Sequence, residues 1–314
     1  MTLTTALKLH LRTFEIHGRT LRLVTLRPQI GVRFSTNYFH DTWHILAGPD
    51  GAALLGRLLW GLAFQHHPGT LILIDAPHLV PTPFEADPPA PILLVPDGLT
   101  RVDDDLLRAL KLRLRRSPGA PTTIQWHTFG MAPALARDDL RHWRWRVHER
   151  NDPKWNRERM SRRAGFVCYT APPPVLREHA LGIYGMRGGF DGYHPLADPP
   201  GSQCRGYDGE FQVIANFAAR VSAAQVARRA VVGDAPGVLA ERDVRWSIYD
   251  ETERALGRLV SARKLSAATP RDGSTSRAPA DRTRPRGPRA APAADRARTR
   301  SGSDAGTRRG RSAP

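Results

Sequence analysis

The chain has 314 residues, with 47 Lys or Arg against 30 Asp or Glu, so its formal charge is +17. This surplus of positive charge excludes an acidic calcium buffer, an acidic disordered activator and the acidic surface of a halophilic protein. The length allows one large domain or two modest ones, enough to bury a hydrophobic core.

Cysteine content and hydropathy indicate the compartment. Only Cys168 and Cys204 are present, too few for a disulfide-stapled secreted scaffold. The first twelve residues alternate apolar and polar side chains and lack the continuous apolar stretch of a signal peptide. The longest apolar runs, such as 71–74, fall far short of the roughly 20 residues that span a bilayer. We therefore expect a soluble cytoplasmic protein that does not associate with a membrane.

The N-terminus is predicted to form an antiparallel hairpin. Apolar residues alternate along 7–11 and, in the opposite phase, along 14–16, which indicates one strand with a bulge. A His-Gly pair then turns the chain into a second strand at 21–26. Residues 32–34 are a candidate third strand.

From about residue 44 the pattern changes to short apolar runs that alternate with helices. A strand at 44–47 precedes a leucine-rich helix face over 54–62, with Asp50 as the N-cap. A second helix begins at three consecutive aspartates, 103–105, and closes on arginines that complement its dipole. Further strands are predicted at 71–75, 91–95, 122–127 and 165–169, and further helices near 138–149 and 154–163. This alternation predicts an α/β domain over 1–181, with a mostly parallel sheet flanked by helices.

The C-terminal part is predicted to contain three segments. Residues 182–207 form a Gly/Pro-rich loop, and 208–262 form a helical segment packed on the body, with helices at about 208–232 and 239–260. Residues 263–314 contain 14 basic and 4 acidic residues, one large aliphatic side chain and no aromatic one. Such a segment cannot bury enough surface to offset its conformational entropy, so we expect a disordered basic tail.

No complete catalytic motif is present. The glycine turn after the strand at 44–47 lacks the second Gly, the Lys and the Ser/Thr of a phosphate-binding loop, since Ala53, Leu54 and Leu55 occupy those positions. The sequence also lacks a dinucleotide fingerprint, a serine nucleophile elbow and a paired-cysteine zinc site. Cys168, on a predicted buried strand, is most simply a core residue.

One weaker constellation lies at the ends of the predicted strands. In open α/β sheets, ligands bind where the carboxyl ends of the strands converge. Carboxylates and imidazoles gathered there could hold a divalent metal ion and activate a water for hydrolysis, with 76–90 as a lid. Asp is also common at strand ends for turn chemistry alone. The candidate catalytic residues are Asp50, Asp75, His78, Asp97 and His127, and His40, His44, His66 and His67 are possible additional ligands.

The other constellation is basic and aromatic. Residues 141–163 hold nine basic and three acidic residues and three of the seven tryptophans. If 138–149 is a helix, Trp145 lies opposite its apolar face, where it could stack on a base while arginines neutralise phosphates. A solvated basic helix with no ligand is the alternative. The candidate nucleic-acid-binding residues are Arg141, Arg144, Trp145, Arg146, Arg150, Lys154, Arg157, Arg162 and Arg163.

Three functions are compatible with these observations. The first is binding of nucleic acid or another polyanion without strong sequence specificity, assisted by the basic tail and steeply dependent on salt. The second is a metal-assisted hydrolase of a phosphate-bearing or small polar substrate. The third is a protein-docking module that uses the 182–206 loop or the tail.

Overall fold

Two β-sheets and six α-helices make up the described part of the chain. The computed structural model describes residues 5–116, 119–137, 157–188, 191–197, 208–233 and 242–268, with side chains up to 258. The chain up to Ala268 is one compact unit. Of the predicted tail 263–314, residues 263–268 belong to the last helix, and 269–314 lie outside the described residues. Within the described ranges, no helix is both long enough and apolar enough to cross a bilayer.

The strands follow the chain in this order: β1 Ala6–Ile16, β2 Arg19–Thr25, β3 Phe34–Phe39, β4 Thr42–Ala47, β5 Thr70–Ile74, β6 Ile92–Pro96, β7 Thr122–His127, β8 Arg159–Arg163, β9 Phe166–Ala171, β10 Gly192–Leu196 and β11 Gly209–Val213. The helices are α1 Pro49–Leu62, α2 Asp104–Arg116, α3 Met131–Arg137, α4 Pro173–Gly185, α5 Phe217–Val232 and α6 Arg242–Ala268. The predicted N-terminal hairpin is confirmed as β1 paired antiparallel with β2.

Helix α2 begins and ends as its charges predict. The Asp103 carboxylate accepts a hydrogen bond from the Leu106 N–H at 2.8 Å, which caps the first turn. Acidic residues occupy that turn and three arginines occupy the last, so both ends complement the helix dipole. The buried face consists of Leu106, Leu107 and Leu110.

The sheets are mixed. One has the strand order β7-β1-β2-β5-β6-β9-β8 and the other the order β10-β11-β4-β3. The α/β class is as predicted, but only β2/β5, β6/β9 and β4/β11 pair in parallel, while the other six described pairings are antiparallel. The segment 75–91 accounts for one of these antiparallel pairings, that of β5 with β6. A parallel connection crosses the sheet, usually through a helix, whereas this segment runs beside β3 and returns as β6, antiparallel to β5.

The elements pack in layers. Helix α2 covers one face of the seven-stranded sheet through Leu107 and Leu110. The opposite face shares a core with α1, α4 and the inner face of the four-stranded sheet, to which Ile45 and Phe211 contribute. Leu46, on the outer face of that sheet, packs against α5. This alternation along β4 turns its other outward side chains toward α5 and α6.

Three further element predictions differ from the structure. Residues 209–213, predicted to start a helix, form β11, whose alternating polar and apolar side chains fit a half-buried strand. Residues 159–163, predicted as the end of a helix, form β8, which pairs with β9. Residues 192–196, predicted to be irregular, form β10, which pairs with β11.

A buried ionic cluster fastens α5 and α6 to the segment 75–91. The Asp87 carboxylate accepts hydrogen bonds from Arg228 of α5 at 2.8 Å and from Arg245 of α6 at 3.0 Å. Arg245 also lies 3.3 Å from the Glu85 carboxylate, and Arg228 donates to the Glu85 carbonyl. Only 6% of the Asp87 side chain is exposed. Burial raises the pKa of Glu85, while Arg245 opposes that shift.

We predict that Asp87→Asn is strongly destabilising. The change leaves two buried guanidinium groups with one carboxylate between them, and breaking a buried ion pair on one side typically costs about 3–5 kcal/mol. The free energy of unfolding from urea titration measures the loss. Asp105→Asn is the matched control, because Asp105 pairs with Arg108 at the surface and such pairs contribute under about 1 kcal/mol. Equal losses in the two variants would contradict a structural role for the cluster.

Candidate functional site

A groove lined by arginines lies between β8 and the loop that follows β6. Its volume is about 330 Å³. Thr100, Ser161 and Thr170 add hydroxyl groups to its lining. Asp97 and Asp208 are the carboxylates among the described lining residues. Four arginines line it: Arg101, Arg157, Arg159 and Arg163.

The four guanidinium groups differ in how they are neutralised. Arg157 contacts Asp97 at 2.5 Å, and Arg163 donates to Asp104 at 2.8 Å. Arg101 and Arg159 are exposed, and in the described parts of the chain no carboxylate lies within ion-pair distance of either. The groove therefore presents two arginines whose charge is not cancelled by a described neighbour.

Three residues of the predicted basic surface are described. Arg157 and Arg163 line the groove, and the Arg162 guanidinium lies 5.9 Å from the centre of the Trp43 ring, a cation–π contact. Sequence analysis did not single out Arg101 or Arg159. Arg159 lies within the basic stretch, but Arg101 follows β6 and has no sequence signal of its own. The remaining predicted residues lie outside the described residues, namely Arg141, Arg144, Trp145, Arg146, Arg150 and Lys154.

The five predicted catalytic residues do not meet in one crevice. Asp75 follows β5 and Asp97 follows β6. Because these adjacent strands are antiparallel, the two acids lie at opposite ends of the strands, on the order of 15 Å apart along the strand direction. His127 ends β7, three strands away from β5. Asp50 is exposed in the first turn of α1, after a strand of the other sheet.

Each of these residues has a local environment of its own. The buried His78 ring lies 3.2 Å from the Val32 carbonyl through Nδ1, and burial lowers its pKa. Burial raises the pKa of Asp75, partly offset by Arg12. The exposed His127 ring stacks on Phe129. Across the described ranges, no three His, Cys, Asp or Glu side chains are arranged to hold a metal ion. The segment 76–90, predicted as a lid, contains the buried residues of the ionic cluster.

A larger cavity, of about 900 Å³, lies between the outer face of the four-stranded sheet and α6. Because β3, β4 and β11 are neighbours in register, Asn37, His44 and Glu210 lie side by side on its floor. Glu85 contributes to the wall through the ionic cluster described above. The other lining residues are Phe39, His40, Thr42, Phe84, Gln212, Arg242, Arg245, Trp246 and Tyr249.

A buried imidazole and carboxylate occupy the centre of this floor. His44 Nε2 lies 3.3 Å from Glu210 Oε1, with both side chains less than a tenth exposed. The Gln212 amide also donates to Glu210 Oε1. Burial lowers the pKa of His44, and His40 acts in the same direction, while Glu210 opposes the shift. His44 is therefore a neutral ring near pH 7, able to donate and to accept a hydrogen bond.

The sequence predicts His40 and His44 only as additional metal ligands, and it gives no sign of Glu210, the carboxylate partner of His44. The helix predicted from about residue 208 hides the alternation of Glu210 with Phe211. That alternation is the one signal that would have placed Glu210 on a strand.

A second group of polar residues is sealed within the core. His179 Nε2 lies 2.8 Å from Glu158, and its Nδ1 lies 2.7 Å from His194. Tyr169 donates to the same carboxylate at 2.6 Å. All four side chains are buried, so this network supports packing between α4, β9 and β10. Cys168 is also buried, and burial raises its pKa to about 12, so its thiol stays protonated.

No family model matches the chain, and searches of curated protein sequences and of solved structures gave no match. Function is therefore inferred from the groove and the cavity themselves.

The lowered pKa of His44 predicts how stability depends on pH. The unfolded chain binds a proton near the ordinary pKa of about 6.5, while the folded chain resists it, so the stabilisation is complete above this pH and is lost as the pH falls below it. As the pH falls below about 6.5, the free energy of unfolding of the wild type should decrease by up to about 1.4 kcal/mol per pH unit more than that of His44→Gln. Urea unfolding between pH 5 and 8 measures both proteins. Parallel stability curves would show that His44 is not desolvated.

Proposed function

We propose that this protein binds nucleic acid without strong sequence specificity, through the arginine groove beside β8. The observation that supports this proposal is the gathering of Arg101, Arg157, Arg159 and Arg163 around one groove, two of them with no described carboxylate partner. Guanidinium groups pair with phosphate oxygens in planar, two-point hydrogen bonds. Such contacts position a phosphate backbone and are independent of base sequence.

Other properties of the groove favour a phosphate ligand. The Ser161 and Thr170 hydroxyls can donate to phosphate oxygens that the arginines have neutralised. The Asp97 carboxylate lies against Arg157, so its charge is already partly offset. A small acidic metabolite would occupy one or two arginines, whereas a chain of phosphates can engage all four.

The sequence carries further positive charge outside the described groove residues. Basic residues of 141–156 precede Arg157 directly in the chain, and residues 263–314 add 14 basic side chains against 4 acidic ones. Polyanions release counterions when they meet such a surface, and this release supplies most of the free energy of non-specific binding. We propose that both segments contribute in this way.

The hydrolase alternative receives less support. Its five candidate residues lie at different ends of the strands and in different sheets. The described chain also offers no ready group of metal ligands. The groove is therefore the stronger basis for a function.

We predict that the double substitution Arg101→Gln and Arg159→Gln weakens binding of a fluorescein-labelled single-stranded oligonucleotide. Each lost phosphate contact should reduce the slope of log K against log salt by about 0.7, so the double variant should lose roughly 1.4. At about 0.1 M salt this corresponds to a loss of affinity on the order of 25-fold. Fluorescence anisotropy of the full chain at several salt concentrations, with two unrelated oligonucleotide sequences, measures slope and affinity.

The matched control is Arg113→Gln with Arg115→Gln. These arginines are equally exposed and carry the same charge, but they lie at the end of α2, roughly 15 Å or more from its groove-side start. If this control loses as much affinity and slope as the groove variant, binding follows net charge alone and the groove is not the site.

A further inference from the structure

The cavity beneath α6 combines features that a purely structural cavity would not need. Its floor is polar, with Asn37, His44 and Glu210 adjacent across three strands. Its roof is one stripe of α6, where Arg242, Arg245, Trp246 and Tyr249 recur at helical spacing and line the same space. A volume of about 900 Å³ falls within the range of small-molecule sites.

Two aromatic side chains at this cavity are largely exposed. Trp246 is 51% exposed and Phe39 is 44% exposed, although both line the cavity. Tyr249 packs edge-to-face on Trp246, with ring centres 5.8 Å apart, and so restricts the orientation of the indole. Exposed aromatic rings beside a polar floor offer a planar ligand a stacking surface.

The polar groups define what the planar ligand must carry. The Glu210 carboxylate accepts hydrogen bonds only, so it selects N–H donors on a ring. Asn37 and Gln212 supply amide groups that can pair with the edge of a heterocycle. Arg242 is exposed in the first turn of α6, and its guanidinium suits an anionic group attached to that ring.

We propose that this cavity binds a nucleotide, with its base stacked on Trp246 above the Asn37–His44–Glu210 row and its phosphate held by Arg242. The ligand is a nitrogen heterocycle carrying a phosphate, supplied either as a free mononucleotide or as the end of a nucleic-acid strand. The site is separate from the arginine groove, so the proposal does not rest on the function assigned to that groove.

The test is calorimetric titration of the full chain with each of the four nucleoside 5′-monophosphates and with the four parent nucleosides. We expect the wild type to bind at least one nucleotide. Trp246→Ala should weaken that binding about tenfold, because stacking contributes strongly for each base. Arg242→Gln should weaken binding of the nucleotide and leave binding of the nucleoside unchanged. Trp246 and Arg242 are exposed, so neither variant disturbs the core.

Tyr193→Ala is the matched control, because Tyr193 is an exposed aromatic residue that does not line the cavity. The proposal is overturned if no nucleotide binds the wild type, or if Tyr193→Ala loses as much affinity as Trp246→Ala. The loss of affinity in Trp246→Ala should persist in the background of Arg101→Gln with Arg159→Gln, which removes phosphate binding at the groove, so failure at one site is distinguishable from failure at the other.

A competition experiment identifies the source of the nucleotide. If a short single-stranded oligonucleotide displaces the mononucleotide from the groove variant, the cavity receives a strand end. If it does not, the cavity takes free nucleotides. Both results retain the nucleotide as ligand, and only the absence of nucleotide binding removes it.

Discussion

The buried contact between Asp87 and two arginines is the constraint on which the outer half of the molecule depends. Helix α5 reaches the four-stranded sheet over a narrow apolar patch around Leu46 and Phe217. Arg228 of α5 and Arg245 of α6 converge on the same carboxylate. Because the partners of a buried charge cannot leave without exposing it, this contact fixes the height of α6 above the sheet.

Ion pairs between residues of the same helix neutralise part of the positive charge in the described chain. Some arginines of α2 and α6 pair with acids one or two turns away, as Arg108 does with Asp105 and as Arg254 and Arg258 do with Glu251. Such pairs leave little net field. Around the groove the arginines come from separate elements, the loop after β6 and β8, so no helical spacing supplies each with an acid. Arg101 and Arg159 of the groove have no ion pair with a described carboxylate, which favours an anionic ligand at this place.

Local signals in the sequence predicted the elements whose stability is local. The β1/β2 hairpin and α2 follow from alternation, turn residues and an acid cap within a few residues of each other. Strand β11 differs from its predicted helix because its parallel partner β4 lies far away in the chain. Strand β8 differs although its partner is near, since only Ala164 and Gly165 separate it from β9, and the sequence analysis did not use this turn as a hairpin signal. The floor of the cavity also depends on a pairing between distant parts of the chain. His44 and Glu210 are 166 positions apart, and only the parallel pairing of β4 with β11 makes them neighbours. Asp75 and Asp97 lie far apart because the segment between them does not cross the sheet, so the strands that they follow, β5 and β6, run in opposite directions.

The groove and the cavity meet at the start of β11. Asp208 lines the groove and Glu210 lines the cavity, two residues or about 7 Å along the same extended chain. Strand β4 lies beside both residues. The Trp43 N–H donates to the Asp208 carbonyl, and the next side chain, His44, faces Glu210. Between them, Gly209 leaves room for Met160 of β8, since a Cβ there would lie 2.1 Å from the Met160 sulfur. Strand β8, which carries Arg159 and Arg163, can therefore lie against β11 only because position 209 is glycine.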